Sequence, residues 1–348
     1  MLEQILLLYG IQRADCKTDR FGDGLINHTW KVSTVNESYI LQQVNHSIFK
    51  SPAAIDNNIA KLNAYLSQYY PEYVFVSPLP ALSGVTLIQT HEGYFRLFPF
   101  VRNSHSINVV SRKEEAFEAA KAFGKFSRQL SNFKAEELAI TLPDFHNLSL
   151  RFEQFLQACA TAGAARKTKA EYWISIVLQN RDIVTTYEKL ISDGEIPLRV
   201  IHHDTKISNV LFDSNDKGIC VIDLDTVMPG YFISDVGDMM RTYLSAASEE
   251  ETNCENIAIR ADFFQAVCEG YLSEMGSVLT ATEKSCFGYA GKFIIFMQAV
   301  RFLTDYLQND IYYGKKYEEH NLNRAINQLT LLENFKKIDA DLKIKFDS

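Results

Sequence analysis

Ile201-His202-His203-Asp204-Thr205-Lys206-Ile207-Ser208-Asn209 and, a little further on, Ile222-Asp223-Leu224-Asp225 are the two stretches whose reading decides the fold. Between them, Val210-Leu211-Phe212 and Ile219-Cys220-Val221-Ile222 enclose Ser214-Asn215-Asp216-Lys217-Gly218, a turn-forming loop, so the segment reads as a β-hairpin with polar residues gathered at its two flanks. Asp and Asn commonly cap turns and end strands, and each of these residues alone fits that ordinary role. Their joint spacing around a hairpin points instead to a site. A hard cation takes oxygen ligands, which suits the Asn209 amide and the Asp223 carboxylate, with Asp225 as a second possible carboxylate. Asp204 is then left free to act as a base. Lys206, two residues after it, is placed to neutralise charge that develops during reaction.

Outward from the hairpin the period of the apolar residues changes. Upstream, residues 29–35, 38–44, 85–90 and 94–101 are β-rich runs separated by turn residues, which predicts a small antiparallel sheet after an opening helix. One helix interrupts it, starting near Ser51-Pro52, with Ile55, Ile59, Leu62 and Leu66 on one face. From residue 111 the spacing becomes helical. Ser111 with Glu114 forms a capping-box pattern, and Phe117, Ala120, Phe123, Ser127 and Leu130 follow on one face. Further helices are expected over 149–161, 167–192, 255–274 and 282–308. The chain is therefore expected to be α+β with two lobes: residues 1–101, β-rich, and residues 102–348, mainly helical.

Composition sets outer bounds. With 47% hydrophobic and 22% charged residues among 348, the chain has ample material for a large core. A net charge of −8 and the absence of a dense Lys/Arg stripe give nucleic-acid and anionic-membrane binding no support. The six cysteines are scattered, without C-x-x-C spacing, and read as reduced thiols. The apolar run 5–9 is too short for a signal or membrane span. A cytoplasmic protein is expected, with its oligomeric state open.

The H-x-D-x-K-x-x-N pattern followed by a strand-ending Asp resembles the catalytic loop and metal aspartate of protein kinases and their relatives. More specifically, Phe21-Gly-Asp-Gly-Leu-Ile-Asn-His-Thr29, Asp204-Thr-Lys-Ile-Ser-Asn209, Asp223-Leu-Asp-Thr-Val-Met-Pro229, Ser234-Asp-Val-Gly-Asp238 and Arg301-Phe-Leu-Thr-Asp-Tyr306 resemble the aminoglycoside phosphotransferase superfamily, and within it the N-acetylhexosamine 1-kinase branch. The resemblance covers residue 20 to about 335. It implies a bilobal protein-kinase-like fold, ATP and Mg²⁺ as cofactors, and transfer of phosphate to the anomeric hydroxyl of N-acetylglucosamine or N-acetylgalactosamine. Asp204 and Lys206 are then the catalytic residues, and Asn209, Asp223 and Asp225 the metal ligands. Gly22 and Gly24 would cover the nucleotide phosphates.

Gln42 would contact the nucleotide from the position where most kinases carry a lysine. Asp56 would stand at the usual position of that lysine's glutamate partner. His28, Arg301 and Asp305 are expected to bind the sugar, although Arg301 and Asp305 also fit an i,i+4 salt bridge and His28 an ordinary loop histidine. His202, Asp235 and Asp238 are expected to brace the loop. Two alternatives stay open: a kinase for another small hydroxyl acceptor such as a hexose, amino alcohol or aminoglycoside, and, prompted by Gln42, a nucleotide-binding pseudokinase.

Overall fold

The computed structural model describes residues 2–22 and 26–341. Its N-terminal part holds helix α1 (Leu2–Leu8), strands β1 (Cys16–Arg20), β2 (His28–Thr34) and β3 (Ser38–Val44), helix α2 (Pro52–Tyr69), and strands β4 (Ile88–Thr90) and β5 (Gly93–Pro99). The five strands form one antiparallel sheet in the order β1-β2-β3-β5-β4. Strand alternation decides which side is apolar. Val32, Leu41, Phe95 and Leu97 point to one face, where Ile5 and Leu6 of α1 close a small core. Thr29, Gln42 and Arg96 lie on the other.

Strand β1 was not among the expected strands. Its sequence, Cys-Lys-Thr-Asp-Arg, is polar on both faces and largely solvent-facing, because it is the sheet's edge, where charged side chains discourage pairing with a further strand. Helix α2 has Ser51 at its N-cap position and Pro52 in the first turn, as expected, but the Ser51 hydroxyl makes no capping bond. Its apolar face, Ile55, Ile59, Leu62 and Leu66, is buried in the larger of the two cores.

The rest of the chain adds β6 (His105–Ser106), α3 (Lys113–Gln129), α4 (Leu148–Thr161), α5 (Ala164–Gln179), α6 (Arg181–Ser192), β7 (Arg199–Ile201), β8 (Val210–Phe212), β9 (Gly218–Val221), β10 (Met228–Gly230), α7 (Phe232–Tyr243), α8 (Ala261–Met275), α9 (Ala281–Ser285), α10 (Phe287–Leu307) and α11 (His320–Asp341). The cap of α3 is displaced by one residue from expectation: Glu115, not Glu114, accepts the Ser111 and Arg112 amides at 2.8 and 3.2 Å.

The helix expected over 167–192 is two helices. Asn180 separates them, its side-chain amide donating to the Ile176 carbonyl at 2.8 Å, the local competition with the backbone that makes Asn a poor interior residue. The helix expected over 282–308 breaks at Cys286. Its first short piece is fixed by a Thr280–Glu283 capping box, and the buried Glu283 also receives Arg199 of β7 through two 2.7 Å bonds. Helix α8 starts at Ala261 rather than residue 255.

Two features of this packing position the site. The expected hairpin is present as β8 and β9, with Val210 paired to Val221 and Leu211 to Cys220. Helix α7 lies tightly on α10 because a Cβ at Gly237 would run into the Ala290 carbonyl.

Candidate active site

The loop that carries Asp204 runs between β7 and β8, and α7 holds it from below. Asp235 accepts the backbone N–H groups of His202 (2.9 Å) and His203 (2.7 Å), and Asp238 accepts that of Thr205 (2.8 Å). The Thr205 hydroxyl donates to the Asp235 carbonyl at 2.7 Å, and the buried Tyr243 hydroxyl donates to the Thr205 carbonyl at 2.6 Å. These bonds hold His203 at φ +66°, a backbone conformation that costs a non-glycine residue on the order of 1–3 kcal/mol. Burial, partly offset by its two N–H donors, pushes the Asp235 carboxyl up to about 7.

His202 has the bracing role expected of it. Its Nε2 meets the Ile222 carbonyl at 3.0 Å, and its Nδ1 accepts the Asp204 N–H at 3.3 Å. It thereby ties the loop to the end of β9. His203 is packed against β10, where a Cβ at Gly230 would stand 2.5 Å from its Nε2. Burial lowers the pKa of both rings, that of His203 to about 4.

The sign of the resulting pH dependence is fixed. As pH falls below about 6.5 the unfolded chain binds a proton on residue 203 that the folded chain refuses, so His203 costs the fold progressively more stability. Asn tolerates φ near +60° and has no such titration. The stability gap between wild type and His203→Asn is therefore expected to narrow by about 2 kcal/mol between about pH 6.5 and pH 5. Melting curves of both proteins across that range test this, and a constant gap would refute it.

Asp204 is the partly open carboxylate of this set. Its Oδ2 lies 3.1 Å from Lys206 Nζ and accepts from Asn209 Nδ2 at 3.1 Å, while the same Nδ2 donates to the Asp204 carbonyl at 2.9 Å. Asn209 Nδ2 is thus turned toward Asp204, which leaves Oδ1 as the atom of that side chain able to coordinate a cation. Burial favours the neutral amine of Lys206, but Asp204, Asp223 and Asp238 outweigh it and hold the group protonated, with its pKa raised.

Asp223 adopts φ +62° at the end of the hairpin. It is exposed to solvent. Desolvation, followed by the neighbouring carboxylates Asp225 and Asp204, pushes it up to about 7. A divalent cation would relieve that crowding of negative charge, so Asn209 and Asp223 fit Mg²⁺ with phosphate and water completing its shell. No cluster of three or more His, Cys, Asp or Glu side chains able to hold a metal occurs among the described residues, which leaves this mixed amide and carboxylate pair as the candidate.

Other expected site residues are placed differently. Asp225 is 1% exposed and its oxygens are engaged, Oδ1 with Arg96 Nη2 at 2.5 Å and Oδ2 with Asn27 Nδ2 at 2.8 Å. As found, it is an ion-pair partner and not an open metal ligand. Gln42 accepts Arg96 Nε and Nη2 at 3.0 and 2.6 Å. Asp56 accepts the Thr86 hydroxyl at 2.7 Å. Gly22 has φ +76° with open space around it, and Gly24 lies outside the described residues.

His28 is exposed beside Arg20 and Trp30, and alternation along β2 puts it on the face opposite Thr29. It is Asn27, one residue earlier, that reaches the cleft. Asp305 is also corrected: 3% exposed, it accepts the Tyr312 and Tyr313 amides at 2.7 and 3.0 Å and Asn321 Nδ2 at 3.1 Å, and so organises the loop after α10 from inside.

Arg301 is half-buried among aromatic rings. Its guanidinium stands 5.9, 5.8 and 5.5 Å from the ring centroids of Phe145, Tyr312 and Tyr313. Phe145 stacks on His146 at 4.5 Å, and both rings border His203, at 6.3 and 5.3 Å. Arg151 and Arg241 lie within electrostatic reach of this group, and burial keeps His146 neutral. Two surface hollows of about 420 and 330 Å³ lie elsewhere and share no residue with this region.

Sequence reasoning missed Arg96 and Asn27 as site residues. The available signal for Arg96 was a lone charge inside the apolar strand Tyr94-Phe-Arg-Leu-Phe98.

A sheet-rich lobe, a helical lobe and a loop carrying Asp204 and Asn209, followed by a strand-ending carboxylate, define a protein-kinase-like phosphotransferase architecture. The chain belongs to the phosphotransferase enzyme family, whose model matches residues 17–276, and is a small-molecule kinase of that family. Solved structures share the fold at low identity. A microcompartment-associated aminopropanol kinase is 15% identical, with 97% of each chain covered and a TM-score of 0.68. An aminoglycoside phosphotransferase from Alicyclobacillus acidocaldarius is 12% identical over 97% of this chain and 96% of its own, with a TM-score of 0.63. A spectinomycin phosphotransferase in complex with ADP and spectinomycin is 16% identical over 97% and 96%, with a TM-score of 0.58. Among the described residues no helix is long and apolar enough to cross a membrane.

Proposed function

We propose that this protein is a cytoplasmic sugar 1-kinase that uses ATP and Mg²⁺ to phosphorylate the anomeric hydroxyl of an N-acetylhexosamine. Asp204 takes the hydroxyl proton, the freed oxygen attacks the γ-phosphorus of ATP, and the bond to the β-phosphate breaks to release ADP. Asn209 orients the Asp204 carboxylate, and Lys206 stands beside it to offset charge on the transferring group. Asn209 and Asp223 would hold Mg²⁺, which supplies neutralisation of the phosphates when bound.

The observation that carries the acceptor assignment is the charge of the region beside His203. The aromatic faces of Phe145, Tyr312 and Tyr313 are already near a fixed guanidinium, so a second cation there would be repelled, whereas ring faces and N–H donors suit the apolar faces and hydroxyls of a neutral sugar. Several solved structures of the same fold are aminopropanol, ethanolamine or choline kinases. Those acceptors carry positive charge.

ADP release is to be measured with ATP, Mg²⁺ and a panel of N-acetylhexosamines, hexoses, choline, ethanolamine and aminoglycosides. Turnover confined to neutral sugars is expected, and preference for a cationic acceptor would overturn the assignment. Arg301→Ala is expected to raise the acceptor KM about 10- to 100-fold, the loss of one charged hydrogen-bonding group, and to leave the KM for ATP unchanged.

A further inference from the structure

Gln42 has no charge, yet its place on β3 is where kinases present the lysine that pairs with the α- and β-phosphates. Directly across the ladder, on β5, stands Arg96. Opposed residues share a face of the sheet, and here the two side chains meet: both Arg96 Nε and Nη2 donate to Gln42 Oε1. Arg96 is 2% exposed, and its guanidinium is permanently charged. Its Nη2 also lies 2.5 Å from Asp225 Oδ1, and its Cζ lies 5.1 Å from the centroid of the Phe98 ring.

This cation is therefore fixed at the meeting point of three elements. The strand that lacks the lysine is one. Another is Asn27, just after the glycine segment, which donates to the other oxygen of Asp225. The third is the loop carrying Asp223 and Asp225, which the Arg96–Asp225 ion pair ties to the sheet. A triphosphate whose terminal group faces Asp204, with its metal on Asn209 and Asp223, has to run along this junction.

We propose that Arg96 supplies the positive charge for the α- and β-phosphates of the bound nucleotide. Gln42 orients its guanidinium, and Asp225 is its counter-ion rather than a second metal ligand. The ligand class is a nucleoside di- or triphosphate. The inference rests on the kinase reading given above, and it relocates the charge from β3 to β5 without removing it, so Gln42 does not mark an inactive nucleotide site.

The test compares ADP with adenosine, which lacks the phosphates, by calorimetry in the presence of Mg²⁺. Arg96→Gln is expected to weaken ADP about 10- to 100-fold, as loss of a charge-assisted pair does, and to leave adenosine unchanged. The exchange variant Gln42→Lys/Arg96→Gln, with the cation returned to β3, is expected to recover at least about tenfold of that loss. Equal effects on ADP and adenosine, or an exchange variant no better than Arg96→Gln, would overturn the assignment.

If Arg96→Gln does not fold, the exchange variant is compared directly with wild type. A preference for ADP over adenosine kept within about tenfold supports the proposal, and its disappearance refutes it. The two readings fail separately. Wild type that binds ADP but phosphorylates no acceptor loses the sugar-kinase reading alone, whereas wild type that does not bind ADP loses both.

Discussion

Asp204→Asn is expected to lower kcat about 100- to 10,000-fold, the range for loss of a positioned general base, with ADP affinity and melting temperature close to wild type. The replacement is nearly isosteric. Its amide oxygen can still accept from Asn209 Nδ2, so the geometry that ties residue 204 to residue 209 survives. What disappears is the ability to take a proton from the acceptor and the attraction that draws Lys206 to 3.1 Å. In free energy the change is about 3–5 kcal/mol at the transition state. Steady-state kinetics with saturating ATP and acceptor measure it, and undiminished turnover would remove Asp204 from the mechanism.

Asp235→Ala is expected to damage stability and turnover together. The carboxylate is buried and accepts two backbone N–H groups, those of His202 and His203. Removing it leaves both donors without partners, each at a cost of about 1–3 kcal/mol, in addition to the cavity. It also releases the constraint that holds His203 at φ +66°, so the loop can relax and carry Asp204 away from its aligned position. A melting temperature lowered by about 5 °C or more, with kcat reduced in the protein that remains folded, is the expected pair of results. Normal turnover and stability would mean that α7 does not set the loop's shape.

The hairpin, the loop that leads into it and the succession of a sheet-rich part by a mainly helical one are legible in the sequence because each is local. Asp204, Asn209 and Asp223 sit within one short stretch, and the intervening apolar runs fix the register that brings its ends together. Helix existence is likewise readable from periodicity, whereas the breaks at Asn180 and Cys286 depend on side chains that redirect backbone bonds and leave the apolar period intact.

Arg96 illustrates what is not local. Its meaning comes from pairing with Gln42, far away in the chain, and from contact with Asp225 in the other lobe. The reassignment of Asp305 has the same origin. At i,i+4 from Arg301 it looks like a surface partner, but the turn after α10 brings back amides that claim its oxygens. Alternation explains His28 and Asn27: they are adjacent in sequence, and a one-residue difference in the start of β2 exchanges which of them enters the cleft.

Helix α10 presses against Gly237 of α7 near its beginning and presents Arg301 toward its end. The inner edge of this one rod therefore helps to set the height of the loop that carries Asp204, while its outer edge carries Arg301, the residue proposed to meet the acceptor. Such a component can change its clientele by exchanging outward side chains while the reaction it serves stays the same. New acceptors for this scaffold should accordingly be sought by varying positions around Arg301, with the small residues on the inward side of the helix left untouched.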